Sequence, residues 1–223
     1  MKTPKLKKVL ATGPTIYLRR PATKDCDEFI RLNRASIRFY RGITTAISTP
    51  QQFARYISRC QNDDFEGLLI CLRNGNAIVG SINLSQVFRG VFQNAYLGYQ
   101  VGARFAGRGY MTEALRLALR YAFDTMKLHR LEANIQPNNA ASIALVKRAG
   151  FTKEGYSRRY LKIGGRWRDH ERWAMLAEDW SEKDHHDEDT RFCFVTGRLC
   201  SRARGLEYFG LAGRRASYPA VHC

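Results

Sequence analysis

A strand, a glycine-rich turn and a helix follow one another between Tyr96 and Met126, and this order constrains the fold more than any other stretch. Residues 95–101 alternate small and aromatic side chains, which is typical of a strand, and Gly102 then allows a turn. Apolar residues recur every three or four positions from Tyr110 onwards: Met111, Ala114, Leu115, Ala118, Leu119, Ala122 and Phe123. This spacing predicts a helix with one apolar face that runs to Met126.

The turn before this helix, Arg104-Phe105-Ala106-Gly107-Arg108-Gly109, has the features of an anion-binding site. Unpaired N–H groups converge at a helix N-terminus, where the helix dipole adds partial positive charge. Gly107 and Gly109 have no Cβ, so a phosphate can approach the main chain, and Arg104 and Arg108 supply charge that pairs with it. A plain strand-to-helix turn is the alternative, because short glycine patterns recur by chance.

Strand-like and helical apolar patterns alternate along the chain, with turn and cap residues between them. The predicted strands are residues 15–19, 68–72, 77–84, 130–136, 156–163 and 167–177. Further helices are predicted to begin at Thr23 and after Thr49, and another to run from Asn139 to Gly150. We therefore expect one mixed domain over residues 14–180.

Two flanking regions differ from this domain in composition. Residues 1–13 form a basic N-terminal extension, and residues 181–223 lack sustained apolar periodicity, so we predict a mostly disordered C-terminal tail. The Asp184-His185-His186-Asp187 cluster has metal-ligand residue types, but no ordered frame would fix the ligand geometry there. A solvated charged tail is the favoured interpretation, and no metal site is predicted.

The chain is strongly basic, with 37 Lys and Arg against 20 Asp and Glu and a formal net charge of +17. Such a charge predicts attraction to polyanions, among them RNA, DNA, an acidic membrane surface and the phosphates of coenzyme A. The cysteines have neither zinc-site nor C-x-x-C spacing, which predicts reduced thiols, and no apolar stretch is long enough to span a bilayer. These observations favour a cytoplasmic protein with no membrane partner.

The Arg104-x-x-Gly107-x-Gly109 pattern resembles the acyl-coenzyme A pyrophosphate loop of the GNAT N-acetyltransferases. Other motifs resemble one branch of that family, the Rim-type ribosomal-protein N-terminal acetyltransferases, and within it the alanine-specific type. These motifs are SQVFRG (85–90), HRLEAN (129–134), PNNAAS (137–142), AGFTKEG (149–155) and GRWRDH (165–170). The resemblance covers residues 14–180 and implies an α/β fold of α+β type, with a twisted, mainly antiparallel sheet, flanking helices and central strands that splay apart.

The resemblance implies acetyl-coenzyme A as the acyl donor. Main-chain groups of Tyr99, Gln100 and Val101 would pair with the pantetheine arm where the central strands splay. Asn139 matches the family's cofactor-contacting asparagine, although it is equally suited to cap the following helix. The pyrophosphate would be held by the loop and the start of the helix, through Arg104, Gly107, Arg108, Gly109, Tyr110 and Met111.

The sequence indicates the proton donor and the base less clearly than it indicates the cofactor-binding residues. In many members of the family a tyrosine seven residues after that asparagine protonates the thiolate, but this chain has Val146 there. Ser142 is the nearby candidate proton donor, although a serine in the first turn of a helix more often satisfies the backbone. A carboxylate that certain relatives use as a base is replaced by Arg159. Glu132, a water or a main-chain carbonyl remains to take the proton of the amine, and Glu132 is equally an exposed strand residue.

We therefore predict an enzyme that transfers an acetyl group to the N-terminal α-amine of a protein, and the resemblance implies an alanine-starting ribosomal protein. The basic surface would help it meet ribosomal RNA or an acidic partner. One alternative is acetylation of a small amine such as an antibiotic or a polyamine. Another is a catalytically weak acyl-coenzyme A-binding regulator associated with RNA, although the sequence lacks an RNA-binding signature.

Truncation after Trp180 tests the predicted domain boundary. Because residues 181–223 lack the apolar periodicity of a core segment, we expect the shortened chain to keep the Tm of the full chain in a thermal melt. A large fall in Tm, or loss of acetyl transfer, would show that the tail is part of the domain.

Overall fold

The computed structural model describes residues 9–180, which form one eight-stranded sheet and four α-helices. The strands are β1 (Val9–Thr12), β2 (Ile16–Arg19), β3 (Phe65–Leu72), β4 (Ile78–Ser85), β5 (Asn94–Val101), β6 (Arg130–Ile135), β7 (Thr152–Ile163) and β8 (Arg166–Leu176). The helices are α1 (Cys26–Ala35), α2 (Pro50–Arg59), α3 (Tyr110–Arg120) and α4 (Ala140–Ala149). The predicted tail, with its Asp184–Asp187 cluster, lies outside the described residues.

The sheet has the order β1-β2-β3-β4-β5-β6-β8-β7. Every neighbouring pair of strands is antiparallel except β5 with β6. A parallel pair needs a crossover connection, and α3 supplies it between these two strands. The predicted α/β architecture with a mainly antiparallel sheet is confirmed.

Helices cover both faces of the sheet, as the burial of β3 shows. Residues 65–71 are buried without alternation, whereas a strand covered on one face only would alternate. A Cβ added at Gly67 would lie 2.7 Å from the Tyr56 hydroxyl, so α2 packs on that face. The neighbouring Glu66 points to the other face, where it meets the turn that follows α3. Among residues 9–180, no helix is both long and apolar enough to cross a membrane.

Local signals place the start of α2 and the end of α4 where the sequence predicts them. Thr49 Oγ1 accepts a hydrogen bond from Gln52 N (3.2 Å), and Gln52 Oε1 accepts one from Thr49 N (3.1 Å). This capping box, with Pro50 in the first turn, begins α2. Gly150 ends α4 in the left-handed region, with φ of 91°.

Two elements differ from the sequence-based expectation. Strand β1 lies within the predicted extension 1–13 and pairs with β2, so the sheet begins before the predicted boundary at residue 14. The α-helical part of α3 ends at Arg120 rather than at Met126, because a π-helical turn, Tyr121–Thr125, follows it. The wider turn keeps the predicted apolar residues Ala122 and Phe123 buried.

A buried ionic cluster fastens this π-helical turn to the sheet. The Arg20 guanidinium donates to both carboxylate oxygens of Glu66, at 2.5 and 2.8 Å, and to the Tyr121 hydroxyl at 3.0 Å. The hydrogen bond to Glu66 raises the pKa of Arg20, and burial raises the pKa of Tyr121 to about 12. Arg20 therefore stays positively charged and Tyr121 stays protonated at neutral pH, as these contacts require.

Removal of the Glu66 carboxylate should destabilise the fold strongly. Glu66→Ala leaves the charge of Arg20 without its counterion in a mostly buried position, and breaking a buried ion pair typically costs about 3 to 5 kcal/mol. The free energy of unfolding in urea measures this cost. The control is Glu178→Ala, which removes an exposed partner of His129 and should cost less than about 1 kcal/mol. Equal losses in the two variants would contradict the prediction.

Candidate functional site

The predicted anion-binding turn lies directly before α3. Ala103–Phe105 form one 3₁₀ turn, and Gly107 and Gly109 then adopt φ of 74° and 82°, in the left-handed region. Gly109 is the N-cap, and the first main-chain hydrogen bond of α3 runs from Glu113 N to Gly109 O (3.1 Å). The amides of residues 110–112 precede that bond and have no acceptor within the helix. They form the positive end of the helix dipole.

Glu113 fixes the position of this helix end. Its carboxylate accepts hydrogen bonds from the main-chain amides of Thr15 (2.9 Å) and Ile16 (3.1 Å) and from the Thr15 hydroxyl. A negative charge in the first turn of a helix also interacts favourably with the helix dipole. The contact spans 98 positions of the chain, so the helical spacing of apolar residues contains no signal for it.

Space is open beside both glycines of the turn. A Cβ added at Gly107 or Gly109 would have no other protein atom within 4 Å, so the fold needs glycine there only for its left-handed φ. Arg108 is exposed, whereas the Arg104 guanidinium lies 4.5 Å from the centre of the Phe105 ring. The turn therefore offers amides, two cations and free space, which is the donor set that a diphosphate needs.

The central strands separate beside this turn, as predicted. Parallel pairing of β5 with β6 is limited to Asn94–Tyr96 against Arg130–Glu132. Strand β5 continues to pair with β4 as far as Val101. One edge of β5 after Tyr96 therefore has no neighbouring strand among the described residues.

Alternation along β5 decides which main-chain groups face the gap. The Gly102 amide donates to Val79 O at 2.8 Å on the β4 side, and the Val101 carbonyl accepts from the Tyr40 hydroxyl at 2.9 Å on the other side. Because main-chain groups of successive residues point to opposite sides, Tyr99 also faces the gap. Gln100 does not, because its main chain faces β4 and its side-chain amide donates to Asn33 Oδ1 (3.2 Å). The predicted role of Gln100 in pairing with the arm is therefore not supported, and the Val101 carbonyl already accepts one hydrogen bond on the side of the gap.

Asn139 and Ser142 lie together at the start of α4. Asn139 Oδ1 accepts from Ser142 N (3.2 Å), so the asparagine is a helix cap through its oxygen, and its amide nitrogen remains a donor. The Tyr99 hydroxyl donates to the carbonyl of Ser142 at 3.4 Å. Burial raises the pKa of Tyr99 to about 12, so this hydroxyl stays protonated. The sequence predicts a role only for the main chain of Tyr99. Its hydroxyl contacts a carbonyl 43 positions away, and no neighbouring residue indicates that contact.

Glu132 is held in an ion pair rather than free in the gap. Its Oε1 accepts from Arg130 Nε (2.9 Å) and from Asn94 Nδ2 (3.1 Å), and its side chain is 15% exposed. Arg130 also binds both carboxylate oxygens of Glu154, and that contact raises the pKa of Arg130 further. These contacts hold the Glu132 carboxylate against Arg130 and Asn94, so they do not favour its predicted role as a base.

The comparisons with known proteins agree with this geometry. Residues 15–152 match the family model described as "Acetyltransferase (GNAT) domain". The Bacillus subtilis protein named "Probable N-acetyltransferase YjcK" is 34% identical over 175 residues, which cover 75% of this chain and 97% of that protein. The Escherichia coli [ribosomal protein uS5]-alanine N-acetyltransferase is 47% identical over 104 residues, 47% of this chain and 54% of that enzyme.

Solved structures show the same fold. Mycobacterium smegmatis RimJ, in complex with CoA-disulfide, is 26% identical with a TM-score of 0.72, over 81% of this chain and 93% of that chain. The ribosomal-protein-S5-alanine acetyltransferase of Vibrio fischeri has a TM-score of 0.69 at 21% identity, over 79% and 99% of the two chains. At 21% identity, the similarity to the Vibrio fischeri protein concerns the fold alone.

The family match, the donor set at the turn and the separated strands lead to the same conclusion. Families of this kind use acetyl-coenzyme A, and the groups that the turn presents fit its diphosphate. The resemblance to the Rim-type branch is confirmed by these relatives. The chain belongs to the acetyltransferase (GNAT) family and is an acetyl-coenzyme A-dependent N-acetyltransferase.

Proposed function

We propose that this enzyme acetylates the N-terminal α-amine of a ribosomal protein that begins with alanine. The observation that carries this proposal is the 47% identity over 104 residues with the E. coli enzyme whose name states that activity. RimJ, which shares the fold at 26% identity, supports the same branch. The open edge of β5 and the helix end beside it supply the place for the cofactor.

The residues around the gap would hold acetyl-coenzyme A, which supplies the acetyl group as a reactive thioester. Main-chain groups of Tyr99 and the Val101 amide would bind the pantetheine arm in the manner of an added strand. The Asn139 amide nitrogen would donate to the same arm. Amides of the turn and of the start of α3 would bind the pyrophosphate, through Gly107, Arg108, Gly109, Tyr110 and Met111, with Arg104 as a further charge.

A hydroxyl, rather than a carboxylate, is the proposed donor of the proton that the departing thiolate requires. Val146 is fully buried, so the position of the usual tyrosine belongs to the core. Ser142 is partly exposed at the start of α4, and its main chain is fixed by Asn139 and Tyr99. We assign the proton donor to Ser142 Oγ. Because the Glu132 carboxylate is held by Arg130 and Asn94, a water that passes the proton on to solvent is the proposed acceptor for the proton of the amine.

Acetyl transfer to defined peptides tests the proposed substrate. The full chain is incubated with acetyl-coenzyme A and an alanine-starting peptide, and free thiol and peptide mass are followed. We expect one acetyl group on the peptide and none on the same peptide with a blocked N-terminus. Acetylation of spermidine without acetylation of any peptide would contradict the proposal, and so would cofactor binding without turnover.

Substitution of the turn glycines should weaken cofactor binding. Gly107→Val or Gly109→Val forces a branched side chain into left-handed backbone and moves the amides, so the affinity for acetyl-coenzyme A should fall about tenfold to a hundredfold. Arg104→Ala should do less. Calorimetric titration measures the Kd of each variant.

The matched control is Gly75→Val, because Gly75 has φ of 79° and open space as well but lies in the turn between β3 and β4. It should suffer the same backbone strain and keep the wild-type Kd. Wild-type affinity in the Gly107 and Gly109 variants would mean that the turn binds no diphosphate.

Substitution of Ser142 tests whether this residue donates a proton or only stabilises the start of α4. If Ser142 Oγ donates the proton, Ser142→Ala should lower kcat about a hundredfold or more with little change in KM, because general acid catalysis contributes on the order of 10² to 10⁴. Ser142→Thr keeps a hydroxyl and should restore part of that loss. Unchanged kcat in Ser142→Ala would remove Ser142 from the reaction.

A further inference from the structure

Residues 29–62 contain six arginines but no lysine, aspartate or glutamate. This stretch comprises most of α1, the connection after it and α2. All six arginines are exposed: Arg31, Arg34, Arg38, Arg41, Arg55 and Arg59. Within residues 9–180, no ion pair includes any of these arginines. The stretch therefore presents positive charge to a partner.

The connection after α1 joins the ends of the two separated strands. The Tyr40 hydroxyl donates to Val101 O, at the end of β5, at 2.9 Å. Gln136 directly follows β6, and its side-chain amide donates to the Gly42 carbonyl at 2.9 Å. Residues 36–43, here called the bridge, therefore cross the open end of the gap between β5 and β6.

Arginines lie on the outer side of α1 and the bridge. The buried residues 32, 33, 36 and 40 recur with helical spacing, and the arginines at 31, 34, 38 and 41 recur on the opposite side. Asp27 shares that outer side one turn before Arg31, so Arg31 is left out of the patch. Arg34 is seven residues from Asp27, or roughly 10 Å along the helix axis. Arg34, Arg38 and Arg41 are called the arginine row.

A cavity of about 270 Å³ opens beside Arg41. Its lining includes Arg41 and three hydroxyl residues, Thr44, Thr45 and Ser48, and no acidic residue. Guanidinium and hydroxyl groups both donate hydrogen bonds, and a carboxylate accepts several of them. The cavity is therefore suited to an acidic side chain.

The direction of approach brings the acceptor chain to the bridge. The cofactor diphosphate would lie at the start of α3, on one face of the sheet. Helix α1 packs beside α2 on the other face, with the rings of Phe29 and Tyr56 at 5.9 Å, so the bridge lies on that face too. The amine therefore approaches from the bridge side. An extended chain advances roughly 3.3 Å per residue, so its third to sixth residues lie roughly 7 to 17 Å from the amine.

We propose that the arginine row binds carboxylates at the third to sixth positions of the acceptor polypeptide. The inference rests on the proposed function and names the class of acceptor: alanine-starting chains with acidic residues shortly after the N-terminus. Ile37 and Phe39, each 50% exposed, would cover apolar side chains between the acidic ones. RNA would also pair with the arginines, but isoleucine does not stack on bases, and the reaction itself brings no RNA to the bridge.

Acetyl-transfer kinetics with three peptides test this selectivity. The peptides start with alanine, carry two glutamates, two glutamines or two lysines at positions 4 and 5, and are otherwise identical. We expect KM to be about threefold to tenfold lower for the glutamate peptide than for the glutamine peptide, and highest for the lysine peptide. Because salt screens exposed charges, the difference should shrink as the ionic strength rises.

Removal of two charges from the arginine row should abolish the preference. Arg38→Gln with Arg41→Gln should raise KM for the glutamate peptide to that for the glutamine peptide, and leave kcat, Tm and the Kd of acetyl-coenzyme A unchanged. The matched control is Arg55→Gln with Arg148→Gln, which removes the same charge from exposed positions of α2 and α4. The control should keep the preference of the wild-type enzyme.

The possible failures are distinguishable. Equal KM values for the three peptides in the wild-type enzyme would overturn the inference and leave the proposed function intact. Loss of the preference in both double variants would also overturn it, because net charge alone then explains the effect. So would weaker acetyl-coenzyme A binding in the bridge variant, or loss of oligouridylate binding there with unchanged peptide KM, since the row then binds the cofactor or RNA. Acetylation of none of the peptides would overturn the proposed function and this inference together.

Discussion

The short parallel contact between β5 and β6 governs the geometry of the site. The two strands pair over only three positions, from Asn94–Tyr96 to Arg130–Glu132, and then diverge. Because the pair is parallel, the chain must cross over between the strands, and the crossover helix α3 begins beside the divergent end. The unpaired strand edge and the unpaired helix amides therefore belong to the same gap. Each would bind a different part of one long, polar and partly anionic molecule.

Close ion pairs set several polar residues of the domain apart as structural residues. Arg20 pairs with Glu66, and Arg130 contacts both Glu132 and Glu154. These contacts join strands and turns that are distant in the sequence. The Tyr99 hydroxyl near α4 instead donates to a main-chain carbonyl, that of Ser142.

Local signals in the sequence were sufficient for most of the fold and for the anion-binding turn. The Thr49 cap, the Gly150 terminus and the two positive-φ glycines depend only on neighbouring residues, so they could be predicted. Contacts between distant residues could not, because apolar periodicity contains no information about Glu113 with Thr15 or Glu132 with Asn94. The direction of the Gln100 main chain could be predicted only in part. Main-chain groups alternate along β5, but one hydrogen bond of the strand must be known before the side that each residue faces is fixed.

Helix α3 is attached to the sheet at both of its ends. Glu113 holds the first turn to β2, and the π-helical turn after Arg120 brings the Tyr121 hydroxyl to Arg20. The amides at the start of the helix are consequently immobilised during folding, before any ligand arrives. The loss of conformational entropy that often accompanies anion capture by a flexible loop should be small here. As a preformed receptor, the helix end would select a diphosphate through a fixed arrangement of dipoles rather than through a closing motion.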